Sequence, residues 1–201
     1  MQDESINILL FLANGFEDLE AIAIRDVFGW TQYRKNIKKA MVSTTGFHPT
    51  IKSRFGLKIE PDIPFSEVNP KDYQALVLPG GFYSYGFNEA FDEKIHELAR
   101  EIYYNGGYIA TMCVGILPIA DAGLLKGKRA TTYPFSRNHD NIGRLKKNGA
   151  IVVNGPVVID DRIISCSGPG SAINVALLLM EHLLGSKTLQ EVRKFMIYKD
   201  S

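Results

Sequence analysis

Apolar residues come in short unbroken runs separated by amphipathic stretches, the pattern of strands alternating with helices. Ile6–Ala13 is almost continuously apolar, as a strand covered on both faces requires. Asn14-Gly15 interrupts it, and Phe16 to Trp30 reads as a helix. Glu17, Asp18 and Glu20 open that helix at the favourable end of its dipole, and Leu19, Ile22, Ala23 and Val27 supply its buried face. Lys39–Thr44 predicts a second strand. Thr50–Lys52 and Leu57–Glu60, around Arg54-Phe55-Gly56, predict a hairpin or a bulged strand. Pro61, Pro64 and Pro70 predict irregular chain over 61–72. Ala75–Leu78 is another buried strand, ended by Pro79-Gly80-Gly81. Asn88–Tyr104 carries Phe91, Ile95, Leu98, Ala99 and Ile102 on one helical face.

Tyr108–Met112 is again of strand length and mostly apolar. The chain then bends at Cys113, Gly115 permits close packing after the turn, and a helix runs through Ile116, Leu117, Ile119 and Ala120, with Pro118 tolerable in its first turn. Arg129–Thr132 predicts a short strand and Asn138–Lys147 a helix. Ile151–Val153, Val157–Ile159 and Ile163–Cys166 predict short strands, the last two paired across Asp160-Asp161-Arg162. Gly168-Pro169-Gly170 precedes a long apolar helix, Ala172–Leu184, which Gly185 caps, and a last helix spans about Leu189–Phe195. The alternation predicts one α/β domain over residues 1–201, with a mainly parallel sheet covered on both faces.

Such sheets bind ligands at the carboxyl ends of their strands. Three loops meet that condition: the turn bearing Glu17 and Glu20, the Gly80-Gly81 turn, and the Cys113 bend. A thiol at a helix N-terminus is favoured as thiolate, although cysteine also serves as a small buried hydrophobe. Paired glycines at a strand end let backbone N–H groups face a ligand, or simply make a tight turn. Acids in a first helical turn are ordinarily solvated complements of the dipole. Cys166 ends a strand on the same rim, where it is an inert thiol or, if close to Cys113, a partner able to resolve a sulfenic acid.

Composition narrows the classes. The chain is 45% hydrophobic and 22% charged with a formal charge of +1, which gives no argument for nucleic acid or an anionic membrane as partner. Two cysteines make no disulfide framework and suit a reducing cytoplasm. Met1-Gln2-Asp3-Glu4-Ser5 lacks the basic region of a secretory leader, and no apolar run approaches the roughly 20 residues of a membrane span. No Cys, His and carboxylate cluster has zinc-ligand spacing, so no structural metal is expected.

Four motifs carry a family resemblance: Ala13-Asn14-Gly15-Phe16-Glu17-Asp18-Leu19-Glu20, Leu76-Val77-Leu78-Pro79-Gly80-Gly81, Ala110-Thr111-Met112-Cys113-Val114-Gly115, and Ser167-Gly168-Pro169-Gly170. In this order and spacing the chain resembles the ThiJ/PfpI superfamily, nearest the branch that holds a human parkinsonism-associated protein. The resemblance implies a flavodoxin-like three-layer sandwich, a homodimer, and a cysteine in a strained nucleophile elbow. It implies Cys113 as the nucleophilic or oxidisable thiol and Glu20 as the glutamate that touches its sulfur. A carboxylate beside a thiolate would repel it, so Glu20 is expected protonated. Gly81 and Val114 match the oxyanion-hole donors, and Gly80, Tyr133, Gly168 and Pro169 the pocket. Arg54 matches, on imperfect spacing, an arginine that reaches toward the partner subunit.

Two departures bear on activity. Val114 stands where family hydrolases place a histidine after the nucleophile, and Tyr133 stands where the parkinsonism branch often has one. A phenol, with a reference pKa near 10, is a poor base at neutral pH. His139 is an alternative source of an imidazole, although a loop histidine is ordinarily a surface residue. The resemblance then implies a cofactor-free cysteine enzyme for small reactive carbonyls, of glyoxalase or deglycase type. The alternative, which the missing histidines favour, is an oxidative-stress sensor or chaperone-like protein with an oxidisable Cys113. A peptidase or amidase comes third.

Overall fold

The computed structural model describes residues 6–199. The acidic residues 1–5 lie outside them. Strands β1 (Ile6–Phe11), β2 (Ala40–Gly46), the short β3 (Ile51–Lys52), β4 (Lys58–Ile59) and β5 (Ile63–Pro64), then β6 (Ala75–Leu78), β7 (Tyr108–Met112), β8 (Arg129–Ala130), β9 (Ile151–Val152), β10 (Val157–Asp160) and β11 (Ile163–Cys166) alternate with helices. The helices are α1 (Asp18–Gly29), α2 (Glu93–Tyr104), α3 (Ile116–Asp121), α4 (Asn141–Lys147), α5 (Ala172–Leu184) and α6 (Ser186–Phe195).

Seven strands form the central sheet in the order β10-β11-β7-β6-β1-β2-β5. All neighbours are parallel except β10 and β11, the hairpin expected across Asp160-Asp161-Arg162. Apolar runs fill β1, β6 and β7 because both faces are covered. One core packs Leu10, Val77, Ala110 and Ile164 against Ile24, Phe28, Val175, Met180 and Val192 of α1, α5 and α6. The other packs Leu9, Leu76, Leu78 and Ile109 against Ile95, Leu98, Ile102 and Leu117 of α2 and α3. This is the three-layer, mainly parallel α/β sandwich the sequence predicts. β1 connects outward to β2, and the chain then returns to β6 on its other side. The order therefore reverses between β1 and β6, and their carboxyl ends leave a crevice.

Several boundaries differ for physical reasons. β1 stops at Phe11, and α1 begins at Asp18 because Glu17 is its N-cap, its carboxylate accepting from the Glu20 N–H at 2.9 Å. The buried face of α1 is also rotated from the expected one. Ala23 and Val27 are buried as expected, but Leu19 and Ile22 are 50% and 43% exposed, and Glu20, Ala21 and Ile24 are buried instead. Residues 61–72 are not wholly irregular, since Ile63–Pro64 adds an edge strand to β2, a place where proline is tolerated. Phe87–Phe91 is a 3-10 turn, so α2 starts at Glu93, capped by Asp92. The predicted hairpin forms as β3 against β4.

Candidate active site

Cys113 directly follows β7 and lies in the left-handed region, with φ of 54°. That conformation costs a non-glycine residue about 1–2 kcal/mol and persists only when its surroundings hold it. They do so by close approach. A Cβ on Gly115 would overlap the Leu78 carbonyl oxygen and lie 2.8 Å from that of Pro79. A Cβ on Gly80 would lie 2.7 Å from Cys113 Cβ and 3.0 Å from the Val114 nitrogen. Both positions exclude any side chain, so the β6 turn seats directly against the elbow.

Glu20 reaches the same point from α1. It has no exposed surface, and its Oε2 accepts from the Gly80 N–H at 2.6 Å. Its Oε1 has no partner. Burial pushes the Glu20 carboxyl up to about 8, against the pull of the Gly80 N–H, and nearby Glu17 adds to the rise. Glu20 therefore keeps its proton at neutral pH, as the sequence reading expects, and holds a donor. Burial likewise raises Glu17, against the N–H groups it caps.

The expected help from a helix dipole does not materialise. A single 3-10 turn, Cys113–Gly115, follows the thiol, and α3 has only six residues. Burial pushes the Cys113 thiol up, an ionised Glu20 would push it further, and the Val114 N–H pulls it down. Protonation of Glu20 removes the repulsion, so a thiolate at Cys113 depends on the proton that Glu20 holds.

A cleft of about 520 Å³ opens above the thiol. Cys113, Val114, Gly81 and Glu17 form its floor, and Phe55, Phe82, Tyr83, Tyr133, Phe135 and Pro169 its aromatic and apolar walls, with Ser84, Ser136, Arg137, Asn138 and His139 adding polar groups. Of the sequence-predicted residues, Cys113, Gly81, Val114, Tyr133 and Pro169 line the cleft. Gly80 and Glu20 stand behind the thiol, and Gly168 faces the Tyr133 ring, which a Cβ at that position would meet at 3.6 Å, an ordinary contact. His139 is both exposed and at the cleft, its ring 4.2 Å from that of Tyr83. Arg54 lies with its guanidinium 4.1 Å above the Tyr85 ring and its Nε buried without a partner. The part that Arg137 and Tyr83 play in the cleft depends on packing that no local motif records. Among the described residues no group of three or more His, Cys, Asp and Glu is placed to hold a metal ion.

The sequence pattern of the DJ-1/PfpI family matches residues 6–182, across all of these motifs. The chain belongs to the DJ-1/PfpI family. Within it, protein dj-1beta of Drosophila melanogaster is 32% identical over 192 residues, 94% of this chain and 96% of that protein. The deglycase PfpI of Pyrococcus furiosus is 32% identical over 166 residues, 82% of this chain and 92% of that one. The crystal structure of Drosophila DJ-1beta superposes with a TM-score of 0.83 at 28% identity, covering 98% of this chain and all of the other. The fold is thus shared with Drosophila DJ-1beta over nearly the whole of both chains. No helix of the described residues is long and apolar enough to cross a membrane.

Proposed function

We propose that this DJ-1/PfpI chain is a cofactor-free cysteine enzyme for small reactive carbonyls, of glyoxalase or deglycase type, working in the cytoplasm. The observation that carries the reading is the cleft-floor thiol of Cys113 seated beside a buried, protonated Glu20 with a free donor position. The deglycase PfpI relative supports it.

In this reading Cys113 Sγ bonds to the aldehyde carbon and the carbonyl π pair moves onto oxygen. The Gly81 and Val114 N–H groups receive that oxygen, and the thiol proton reaches it through Glu20, which gives one proton and takes another. The product is a neutral hemithioacetal. With methylglyoxal, the proton on the thio-bearing carbon then moves to the neighbouring carbon and the hydroxyl proton to that carbon's oxygen, and water cleaves the resulting thioester to lactate and the free Cys113 thiol. Tyr133 stands at the wall as a hydrogen-bond donor rather than a base.

The test is turnover of methylglyoxal and of glyoxal adducts of amines. Wild type should turn over, and Cys113→Ser should not. Alkylation of Cys113 against pH adds a second readout, since a midpoint that rises in Glu20→Leu supports the donor role. The second reading, an oxidation sensor, is favoured by the absence of an imidazole directly after Cys113. Stoichiometric oxidation of Cys113 without any turnover selects it.

We also propose that two copies pair through the exposed apolar residues of α1 and the β3–β4 hairpin. Leu19, Ile22, Phe55 and Leu57 are 43–67% exposed there, and Asp18 ties the two elements together through Ser53 and the Phe55 N–H. Light scattering should report a dimer that Leu19→Glu weakens.

A further inference from the structure

Cys166 ends β11 with no exposed surface and has no part in the carbonyl chemistry. The parallel register sets it opposite Met112, so Cys113 lies one residue beyond its neighbour. Strands about 4.8 Å apart, rising about 3.3 Å per residue, put the two Cα atoms roughly 5.8 Å apart, inside the span of about 4.4–6.8 Å that a disulfide bridges. Regular alternation would send the two side chains to opposite faces of the sheet, and Cys166 belongs to one core while Cys113 packs against the other, but Cys113 lies beyond the end of β7 with φ of 54°, off the alternation of the strand. The Cys113 backbone N–H faces the Cys166 sulfur, and both sulfurs lie near enough to Glu20 to feel its charge. Cys166 Sγ itself donates only to the Gly168 carbonyl, at 3.3 Å, a weak bond that rotation about χ1 releases.

We propose that Cys166 is the resolving thiol of Cys113, so that the cleft also reduces hydroperoxides through a Cys113–Cys166 disulfide. The hydroperoxide meets Cys113 first, because Cys113 lines the cleft and Cys166 is sealed behind it. Burial also keeps Cys166 as thiol, pushed up to about 12. Cys113 sulfur attacks the outer peroxide oxygen and the O–O bond breaks. One oxygen stays as sulfenic acid, and the other leaves as alcohol, or as water from hydrogen peroxide. Cys166 sulfur then attacks the sulfenic sulfur. The S–O bond breaks, and the hydroxyl leaves as water with the Cys166 proton. Two equivalents of a small external thiol reduce the disulfide and become a disulfide themselves. Without Cys166, a second peroxide would carry the sulfenic acid on to sulfinic acid.

The experiment treats the full chain with an excess of hydrogen peroxide, blocks free thiols at successive times, digests it without reductant and weighs the peptides. The expected product joins the Cys113 and Cys166 peptides, two hydrogens lighter than their sum, and dithiothreitol separates them. Cys166→Ser should instead gain two oxygens at Cys113, several-fold faster than wild type, with methylglyoxal turnover unchanged. The proposal is overturned if wild type gains two oxygens at Cys113 as fast as Cys166→Ser while Cys166 remains a free thiol. The wild-type peptide map decides this even where the variant folds poorly. Failure of the carbonyl reading would show separately, as a disulfide that forms in a protein without turnover.

Discussion

Replacing Glu20 by Gln isolates the proton that the buried carboxyl holds. The amide keeps the shape of the side chain, its carbonyl can still accept from the Gly80 N–H, and its NH2 takes the place of the partnerless Oε1. In the unfolded chain Glu20 releases its proton near 4.5, and in the folded protein near about 8. Between these values the native state binds the extra proton. The stabilising contribution is therefore whole below 4.5, falls as the pH rises, and is lost once the pH passes about 8. At about 1.4 kcal/mol per pH unit, the wild type loses about 5 kcal/mol across that window through this one group. Glu20→Gln has no such proton to lose. Urea unfolding followed by the fluorescence of Trp30, the single tryptophan, gives both stabilities from pH 4.5 to 9. The difference between the two proteins should start near zero and grow to a few kcal/mol in favour of the variant. Glu17 is raised in both proteins and cancels, and Cys113 and Cys166 titrate above the window. Parallel pH profiles for the two proteins would refute a native Glu20 that keeps its proton.

Three further outcomes follow from the geometry. Gly115→Ala drives a Cβ into the Leu78 and Pro79 carbonyls, so it should cost about 2–3 kcal/mol in chemical denaturation and slow Cys113 alkylation as the elbow shifts. Cys113→Gly relieves the left-handed strain that Cys113→Ala keeps, so the glycine variant should be up to about 1 kcal/mol more stable than the alanine one, after its greater unfolded-state entropy. Asp62 accepts from the Thr44 N–H and hydroxyl at 2.8 Å each and pairs with Arg25, and those partners hold it down to about 2 against the effect of burial. Its contribution is present above 3.8 and lost as the pH falls through about 2, so Asp62→Asn should flatten the acid limb of a thermal-stability profile.

Much of the architecture was legible in the chain because it rests on local rules. The unbroken apolar runs of β1, β6 and β7 encode strands buried on both faces, and the positions of Gly80, Gly81 and Gly115 encode backbone that must approach closely. Cys113 was legible as a bend because a short apolar strand turns there into a helix. Family likeness then supplied Glu20, whose own surroundings gave no sign of it.

Tertiary packing alone decided the rest. Periodicity assigned the inner face of α1 to Leu19, Ile22, Ala23 and Val27; Ala23 and Val27 do lie inside, yet the helix turns Glu20 and Ile24 inward in place of Leu19 and Ile22, because α1 lies where its face meets both the sheet and the Gly80 turn. A helical wheel cannot report that a carboxyl will find a backbone N–H sixty residues away. The same holds for the cleft walls at Tyr83, Phe135 and Arg137, and for the approach of Cys166 to Cys113. Spacing along the chain carries strand and helix periods, whereas proton affinity and reach between thiols depend on distances that only the closed sheet creates.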